Sequence, residues 1–226
     1  MKKVQFLFVL LFGALFFQLS GVTAGKSFEG VITYKITYPG SKFTENQLAM
    51  FPKITVVTIK GDKAKTELQM SGINTVEITD YTTKSKVSLI NMMGQKYAVK
   101  QTTEEIEKES ANGPKPTIEL TSETKMIAGY TCKKAIITTN DKGEKNEFEV
   151  YYTSELGSKV VNFDNPLYKD IDGVLLEFTM KTPQVTMKFT ATGIEKKSVS
   201  SKEFDIPPDY VLTTQEELKS KFGGME

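Results

Sequence analysis

The side chains of this chain that could do chemistry are mainly carboxylates, lysines and one thiol, because the sequence holds no histidine and a single cysteine, Cys132. Without histidine, Ser-His-Asp and Cys-His nucleophiles, imidazole-ligated zinc and a histidine general base are all excluded. A single cysteine also excludes an intramolecular disulfide. We predict that Cys132 is a half-buried apolar side chain in a strand, with a reactive thiol or an intermolecular disulfide as the alternative.

Acidic side chains occur in two groupings that deserve a chemical test. Four oxygen-bearing side chains cluster around Pro166: Asp164, Asn165, Asp170 and Asp172. They could hold calcium, but their spacing matches no calcium loop and ordinary turn chemistry accounts for them. Glu147 and Glu149 lie two apart and share the polar face of a strand, where water solvates them. We therefore predict no catalytic residue, no metal site and no cofactor.

The basic residues are all lysine, and the formal net charge is +1. Without the bidentate guanidinium of arginine and without a basic excess, we predict no nucleic-acid partner. Some strand lysines could line a mouth that attracts anionic lipid head groups, or simply keep the sheet soluble and its edges unpaired. These lysines are Lys35, Lys60, Lys65 and Lys188.

The apolar residues alternate with polar ones in many segments, which predicts a mainly β fold. Between Phe28 and Tyr38 most apolar side chains fall on even numbers, and Glu29, Thr33 and Lys35 fall between them. Similar alternation surrounds Val76, Phe148, Leu176 and Val185. We expect about eight to ten strands in a curved antiparallel sheet that is covered on one face.

Two short helices are predicted from capping patterns. Thr44 and Gln47 form a capping box that predicts a two-turn helix from Thr44 to Phe51. Thr214 as the cap and Glu217 as its partner at the third position predict a helix from Gln215 to Phe222. The polar segment from Thr102 to Pro116 is predicted as a solvated, mobile insertion, with a short exposed helix as the alternative.

A sheet with so few covering helices should curl into a half-barrel, whose concave face either fills with its own side chains or holds an apolar ligand. Alternation selects the candidate ligand-lining residues Phe28, Ile32, Tyr34, Ile36, Phe178, Met180, Met187 and Phe189. The first predicted helix supplies the candidate lid residues Phe43, Leu48 and Phe51. An error of one residue in register would move each set to the opposite face.

Several segments resemble an exported bacterial family, the domain of unknown function 4412. The similar segments are Ser122 to Ala135, Val150 to Gly157, Val174 to Phe178, and the C-terminal Phe204-Asp205-Ile206-Pro207-Pro208-Asp209-Tyr210. The resemblance implies a fold similar to that of the lipoprotein carriers LolA and LolB, a curved antiparallel sheet with short lid helices. It implies no catalytic residues.

Residues 1–24 have the pattern of a cleavable signal peptide. Lys2 and Lys3 precede an unbroken apolar run from Phe6 to Phe17, and Val22-Thr23-Ala24 supplies small residues for cleavage. The run is too short to span a bilayer, and no cysteine is placed for lipidation. We expect residues 25–226 to form one domain in the periplasm, without a membrane anchor; secretion is the second choice.

These features predict a soluble periplasmic binding protein that holds a lipid or acyl chain, including that of a lipoprotein, in the concave face of its sheet. The alternative is a non-enzymatic envelope assembly protein that has a packed interior and another protein as its partner. No constellation of side chains supports an enzyme.

Overall fold

A computed structural model describes residues 28–70, 73–92, 94–111, 115–141, 144–157, 159–182 and 184–222. The predicted signal peptide, residues 1–24, lies outside these ranges. Within them, no helix is long and apolar enough to cross a membrane.

The described residues form one sheet of twelve strands together with three α-helices. The strands are β1 (Glu29–Thr37), β2 (Ile54–Lys60), β3 (Lys63–Met70), β4 (Ile73–Asp80), β5 (Ser85–Met92), β6 (Gln95–Gln101), β7 (Thr117–Ile127), β8 (Tyr130–Asp141), β9 (Glu144–Thr153), β10 (Val174–Lys181), β11 (Thr186–Lys196) and β12 (Val211–Thr213). The helices are α1 (Glu45–Leu48), α2 (Thr103–Ala111) and α3 (Gln215–Phe222), and 3₁₀ turns occur at Lys159–Asn162 and Ser201–Phe204.

Two meanders build the sheet, whose order is β12-β6-β5-β4-β3-β2-β1-β11-β10-β9-β8-β7. Strands β1 to β6 form one meander and β7 to β11 the other, and the antiparallel pairing of β1 with β11 joins them. The short β12 pairs with β6 in parallel. The predicted fold class, a mainly β curved and open sheet, is confirmed, with more strands than expected and one parallel pair.

Capping residues set the ends of the helices. The Thr44 hydroxyl accepts from the Gln47 backbone, as predicted, but α1 ends at Leu48 after a single turn. Helix α3 spans the predicted residues, and the Thr214 hydroxyl accepts from the Glu217 backbone at 3.1 Å. The segment after Thr102 contains α2, so the alternative prediction of a short helix is confirmed there. It is anchored because Ile106 is buried.

Apolar side chains use both faces of the sheet, and the face changes between β3 and β4. We call the face that carries Ile32 and Tyr34 the inner face; in β2 it carries Val57 and Ile59, which pair with Ile32 and Gly30. In β4, by contrast, Val76 and Ile78 lie on the opposite, outer face. There Val199 and Phe204 of the C-terminal segment pack on a cluster formed by Ile78, Leu89 and Ala98. The expectation of a sheet covered on one face is therefore wrong for β4 to β6.

Gly30 permits a close approach between β1 and β11. Its φ is +156°, and a Cβ placed on it would lie 2.1 Å from the carbonyl oxygen of Glu195. Only glycine fits this contact, which lies where the two meanders join.

Candidate functional site

An open pocket of about 450 Å³ lies on the inner face. Its walls come from β1 to β5, from β10 and from residues 159–173 between β9 and β10, a segment that we call the strap. The lining residues are Ile32, Tyr34, Val57, Ile59, Thr66, Glu77, Thr79, Tyr81, Lys86, Val161, Asn162, Asp164, Asn165, Pro166, Val174, Leu175, Phe178 and Met180. The volume falls in the range of small-molecule sites.

The floor of the pocket is apolar and aromatic. We define the floor as Ile32, Tyr34, Val57, Phe178 and Met180, which come from β1, β2 and β10. The rings of Tyr34 and Phe178 meet edge to face, with centroids 6.0 Å apart. The Tyr34 hydroxyl donates to the carbonyl of Leu175 at 2.9 Å, so its polar atom is already used. The floor therefore offers apolar contact area rather than a reactive group.

The strap is fixed to the sheet by its own buried residues. The amide nitrogen of Asn162 donates to the carbonyls of Ile171 and Gly173, both at 2.9 Å. Tyr168 is fully buried, and its hydroxyl donates to the carbonyl of Thr179 at 2.6 Å. The Asn162 bonds close the strap on itself, and the Tyr168 bond holds it against β10, where it forms one wall of the pocket.

Three charged side chains form the polar wall of the pocket beside the floor: Glu77 of β4, Lys86 of β5 and Asp164 of the strap. We call them the polar triad. The Lys86 ammonium lies 2.8 Å from a carboxylate oxygen of Glu77 and 2.8 Å from one of Asp164. Burial works to lower the pKa of Lys86, but the two carboxylates outweigh it and raise that pKa above its ordinary value. The ion pairs with Glu77 and Asp164 therefore favour the charged form of Lys86.

Tyr81 connects the triad to the strap. Its ring meets that of Phe163 edge to face, with centroids 6.2 Å apart. Burial raises the pKa of Tyr81, and the nearby charges of Asp164 and Glu77 raise it further, so its hydroxyl stays protonated. The strap thus reaches the β4–β5 hairpin through one ion pair and one ring contact.

The structure brings four of the eight candidate lining residues together in the pocket. Ile32, Tyr34, Phe178 and Met180 line it. The others pack in the core beside it: Phe28, Ile36 and Phe189 are buried, and Met187 packs partly buried against them. The ring of Phe189, on the adjacent strand β11, stacks on that of Phe178 with centroids 4.8 Å apart, so it supports the floor from the side.

The candidate lid residues lie elsewhere. Phe43 and Phe51 pack on each other with ring centroids 5.1 Å apart, and Phe51 also meets the ring of Tyr38. Leu48 is half-buried at the end of α1. Phe51 borders a separate shallow hollow with Met50, Ile54 and Met70, whereas the strap covers the pocket.

The polar triad was not predicted from the sequence, although one local signal points to part of it. The turn Tyr81–Lys84 sets the β4–β5 register, which pairs Thr79 with Lys86 and makes Glu77 and Lys86 diagonal neighbours on one face. Alternation with Val76 and Ile78 predicts only that Glu77 lies on the polar face of a strand, and ordinary turn chemistry accounts for Asp164. Nothing local in the sequence places Asp164 beside Lys86.

The other chemical candidates lie outside the pocket. Cys132 is fully buried in β8. Among the residues that the structure describes, no group of three or more acidic, cysteine or histidine side chains is placed to hold a metal ion. Three of the lysines considered for an anion-binding mouth pair elsewhere: Lys60 with Glu29, Lys65 with Glu203, and Lys188 with Glu177.

The resemblance to the domain of unknown function 4412 and to the LolA and LolB carriers is wrong. The similar segments lie in the β7–β8 hairpin, at the end of β9, in β10 and in the C-terminal segment, and of these the β10 segment lines the pocket. The family model that matches is N-glycanase peptide, N-terminal domain, over residues 32–215. No curated protein matches the chain. Because the match covers most of its length, the chain belongs to the family of N-glycanase N-terminal domains.

Proposed function

We propose that this domain is a non-catalytic binding module that holds an amphipathic ligand in the inner-face pocket. The apolar part of the ligand lies on the floor, and its polar part contacts the polar triad. The observation that carries the proposal is the presence of both surfaces in one pocket: Phe178 and Met180 on one side, and the Lys86 ammonium with its two carboxylates on the other.

The apolar floor supports the part of the proposal that concerns a lipid or acyl chain. Met180 is 40% exposed, which is unusual for a large apolar residue beside a core and leaves its side chain available for contact. Methionine is flexible and polarizable, so it adapts to irregular apolar ligands.

The polar triad and the family together support a sugar-bearing ligand. Hydroxyl groups donate to carboxylates and accept from an ammonium, and the C–H faces of a sugar ring pack on apolar and aromatic side chains. The family is described as the N-terminal domain of an N-glycanase, a protein whose name refers to glycans. A glycopeptide or glycolipid would present both an apolar and a hydroxyl-rich part.

The geometry of the triad supports a binding rather than a catalytic role. In a hydrolase that uses two carboxylates, the scissile group lies between them. Here the Lys86 ammonium occupies the space between Glu77 and Asp164, at 2.8 Å from each.

The proposed place of action is the periplasm, and the signal-peptide pattern of residues 1–24 supports it.

Native mass spectrometry of the protein isolated from its own host tests the proposal, combined with titrations of a fatty acid, an alkyl glucoside and a glycopeptide. We expect a non-covalent ligand and saturable binding. Met180→Gln should weaken binding about fivefold or more, because it removes apolar contact from the floor. Met126→Gln is the matched control, since Met126 is 63% exposed and lies outside the pocket. A ligand-free mass without binding of any probe would contradict the proposal.

A second candidate function, an assembly protein that binds another protein, is supported by β7. This strand of eleven residues ends the sheet on one side, and it carries the exposed apolar residues Leu120 and Met126. An exposed edge strand can pair with a strand of a partner. Crosslinking in the native envelope tests it: a specific protein adduct at residue 120 together with an empty pocket would favour this function.

A further inference from the structure

The charges that border the pocket do not balance. The polar triad contains two carboxylates and one ammonium, and these are the only ionisable acid and lysine side chains among the described residues that line the pocket. Both carboxylates contact the same ammonium, so the polar wall carries a net charge of about −1 near neutral pH.

All four lysines that could have attracted an anion, Lys35, Lys60, Lys65 and Lys188, lie on the outer face of the sheet, and three of them are paired there. Lys60 contacts Glu29 and Lys65 contacts Glu203 of the C-terminal segment, while Lys188 lies on the outer face beside Glu177. Lys86 itself directs two of its three N–H donors to Glu77 and Asp164, so its charge is already compensated. An anionic group that entered the pocket would therefore meet carboxylate oxygens without a free cation to compensate for them.

We infer that the polar triad makes the pocket selective for the charge of its ligand, so that neutral hydroxyl-bearing or positively charged groups bind and carboxylates or phosphates are repelled. This inference rests on the proposed function, which it deepens by naming the class of polar group. Hydroxyls and ammonium groups can donate to the outward lone pairs of the two carboxylates, whereas an anion has no proton to donate.

The position of Glu77 makes it the principal residue to test. It lies on β4 within the sheet, and its side chain is 34% exposed, so its free lone pairs can reach a ligand. Asp164 also ties the strap to β5, so a change there would alter the shape of the pocket as well as its charge. Glu77→Gln removes one negative charge while it keeps the size of the side chain.

The test uses decyl glucoside, decylammonium and decanoate, which share one apolar chain and differ in the charge of the head group. Their affinities are measured by isothermal titration calorimetry below micellar concentrations. The isotope-labelled methyl group of Met180 reports binding in the pocket by nuclear magnetic resonance, and that of Met126 reports binding elsewhere. We expect the glucoside and the ammonium to bind at least about tenfold more tightly than decanoate at low salt. Added salt should reduce the difference in affinity between decylammonium and decanoate, because it screens the charge of the polar wall.

Glu77→Gln should reduce the ratio of the affinities for decyl glucoside and decanoate by about threefold or more, because the polar wall becomes neutral. Glu67→Gln is the matched control: Glu67 lies on the adjacent strand β3 but on the outer face, where it contacts Lys65. If decanoate binds as tightly as the glucoside and both probes shift the Met180 methyl signal, the inference of charge selectivity is wrong. The proposed function, a binding module, is then still supported. If no probe moves the Met180 signal, the proposed function fails and this inference fails with it.

Discussion

The hydroxyl of Tyr34 in β1 donates a hydrogen bond of 2.9 Å to the carbonyl oxygen of Leu175 in β10, across the intervening strand β11. Both groups are buried. The two residues belong to different meanders, so this bond joins the two halves of the sheet on the inner face. It also fixes the Tyr34 ring against Phe178, and it thereby sets the shape of the pocket floor.

Tyr34→Phe should destabilise the fold by about 1–3 kcal/mol, because the Leu175 carbonyl would stay buried without its side-chain donor. The free energy of unfolding from urea titrations, followed by circular dichroism, measures this change. Tyr130→Phe is the control, since Tyr130 contacts Lys196 through its ring, which phenylalanine keeps. Equal stabilities of the two variants would show that the hydroxyl of Tyr34 contributes nothing.

How far the sequence predicts the helices depends on whether capping patterns are applied consistently. Thr214 and Glu217 correctly placed α3. The same pattern stands at Thr102 and Glu105, where the Glu105 carboxylate accepts from the Thr102 backbone at 2.7 Å. The density of glutamates around Ile106 favoured a solvated insertion, because a single apolar residue gives no helical periodicity. The capping pattern at Thr102 and Glu105 indicates the helix more reliably than the composition of the segment does.

The pocket could be predicted only in part, since alternation shows which residues share a face but not which face. Ile32, Tyr34, Phe178 and Met180 were found because β1 and β10 lie within one continuous apolar surface. Val76 and Ile78 have the same alternation, yet they lie on the outer face, because the C-terminal segment covers β4 to β6 there. The polar triad depends on long-range register and on the path of the strap, neither of which local patterns contain.

Gly30→Ala should destabilise the fold by at least about 2 kcal/mol, because the new Cβ would collide with the carbonyl oxygen of Glu195. Thermal unfolding measured by calorimetry gives the change. Gly193→Ala provides a matched control: Gly193 pairs with Thr33 in the same strand pair, and a Cβ on it meets nothing within 4 Å. We expect the Gly193→Ala variant to be as stable as the wild type or slightly more stable. If Gly30→Ala were as stable as the wild type, the close approach of β1 and β11 would be contradicted.

The Cys132 thiol should be unreactive in the folded protein. Burial, with a further contribution from the Glu155 carboxylate, raises the pKa of Cys132 to about 11, so little thiolate exists near pH 8. Ellman's reagent should label the native protein much more slowly than the protein in urea, where the full thiol should react. Rapid stoichiometric labelling of the native protein would show instead that the thiol is accessible.

The carboxylate of Glu177 should make stability depend on acid pH. Burial acts to raise the pKa of Glu177, but hydrogen bonds from Lys125 at 3.0 Å and the contact with Lys188 at 3.0 Å outweigh it, so the pKa is lowered from 4.5. Because the folded pKa is below the unfolded one, this stabilisation is fully present above about pH 4.5. It is lost as the pH falls through the lower, folded pKa.

Glu177→Gln should therefore be less stable than the wild type near pH 7, and the difference should shrink as the pH falls below about 4.5. Urea midpoints measured across that range test the expectation, and the difference between wild type and variant separates Glu177 from the other carboxylates. Glu147→Gln is the control, since its ion pair with Lys145 is largely exposed and should contribute within about 0.5 kcal/mol at any pH. A Glu177→Gln difference that stays constant with pH would mean that the lysines do not stabilise the charged carboxylate.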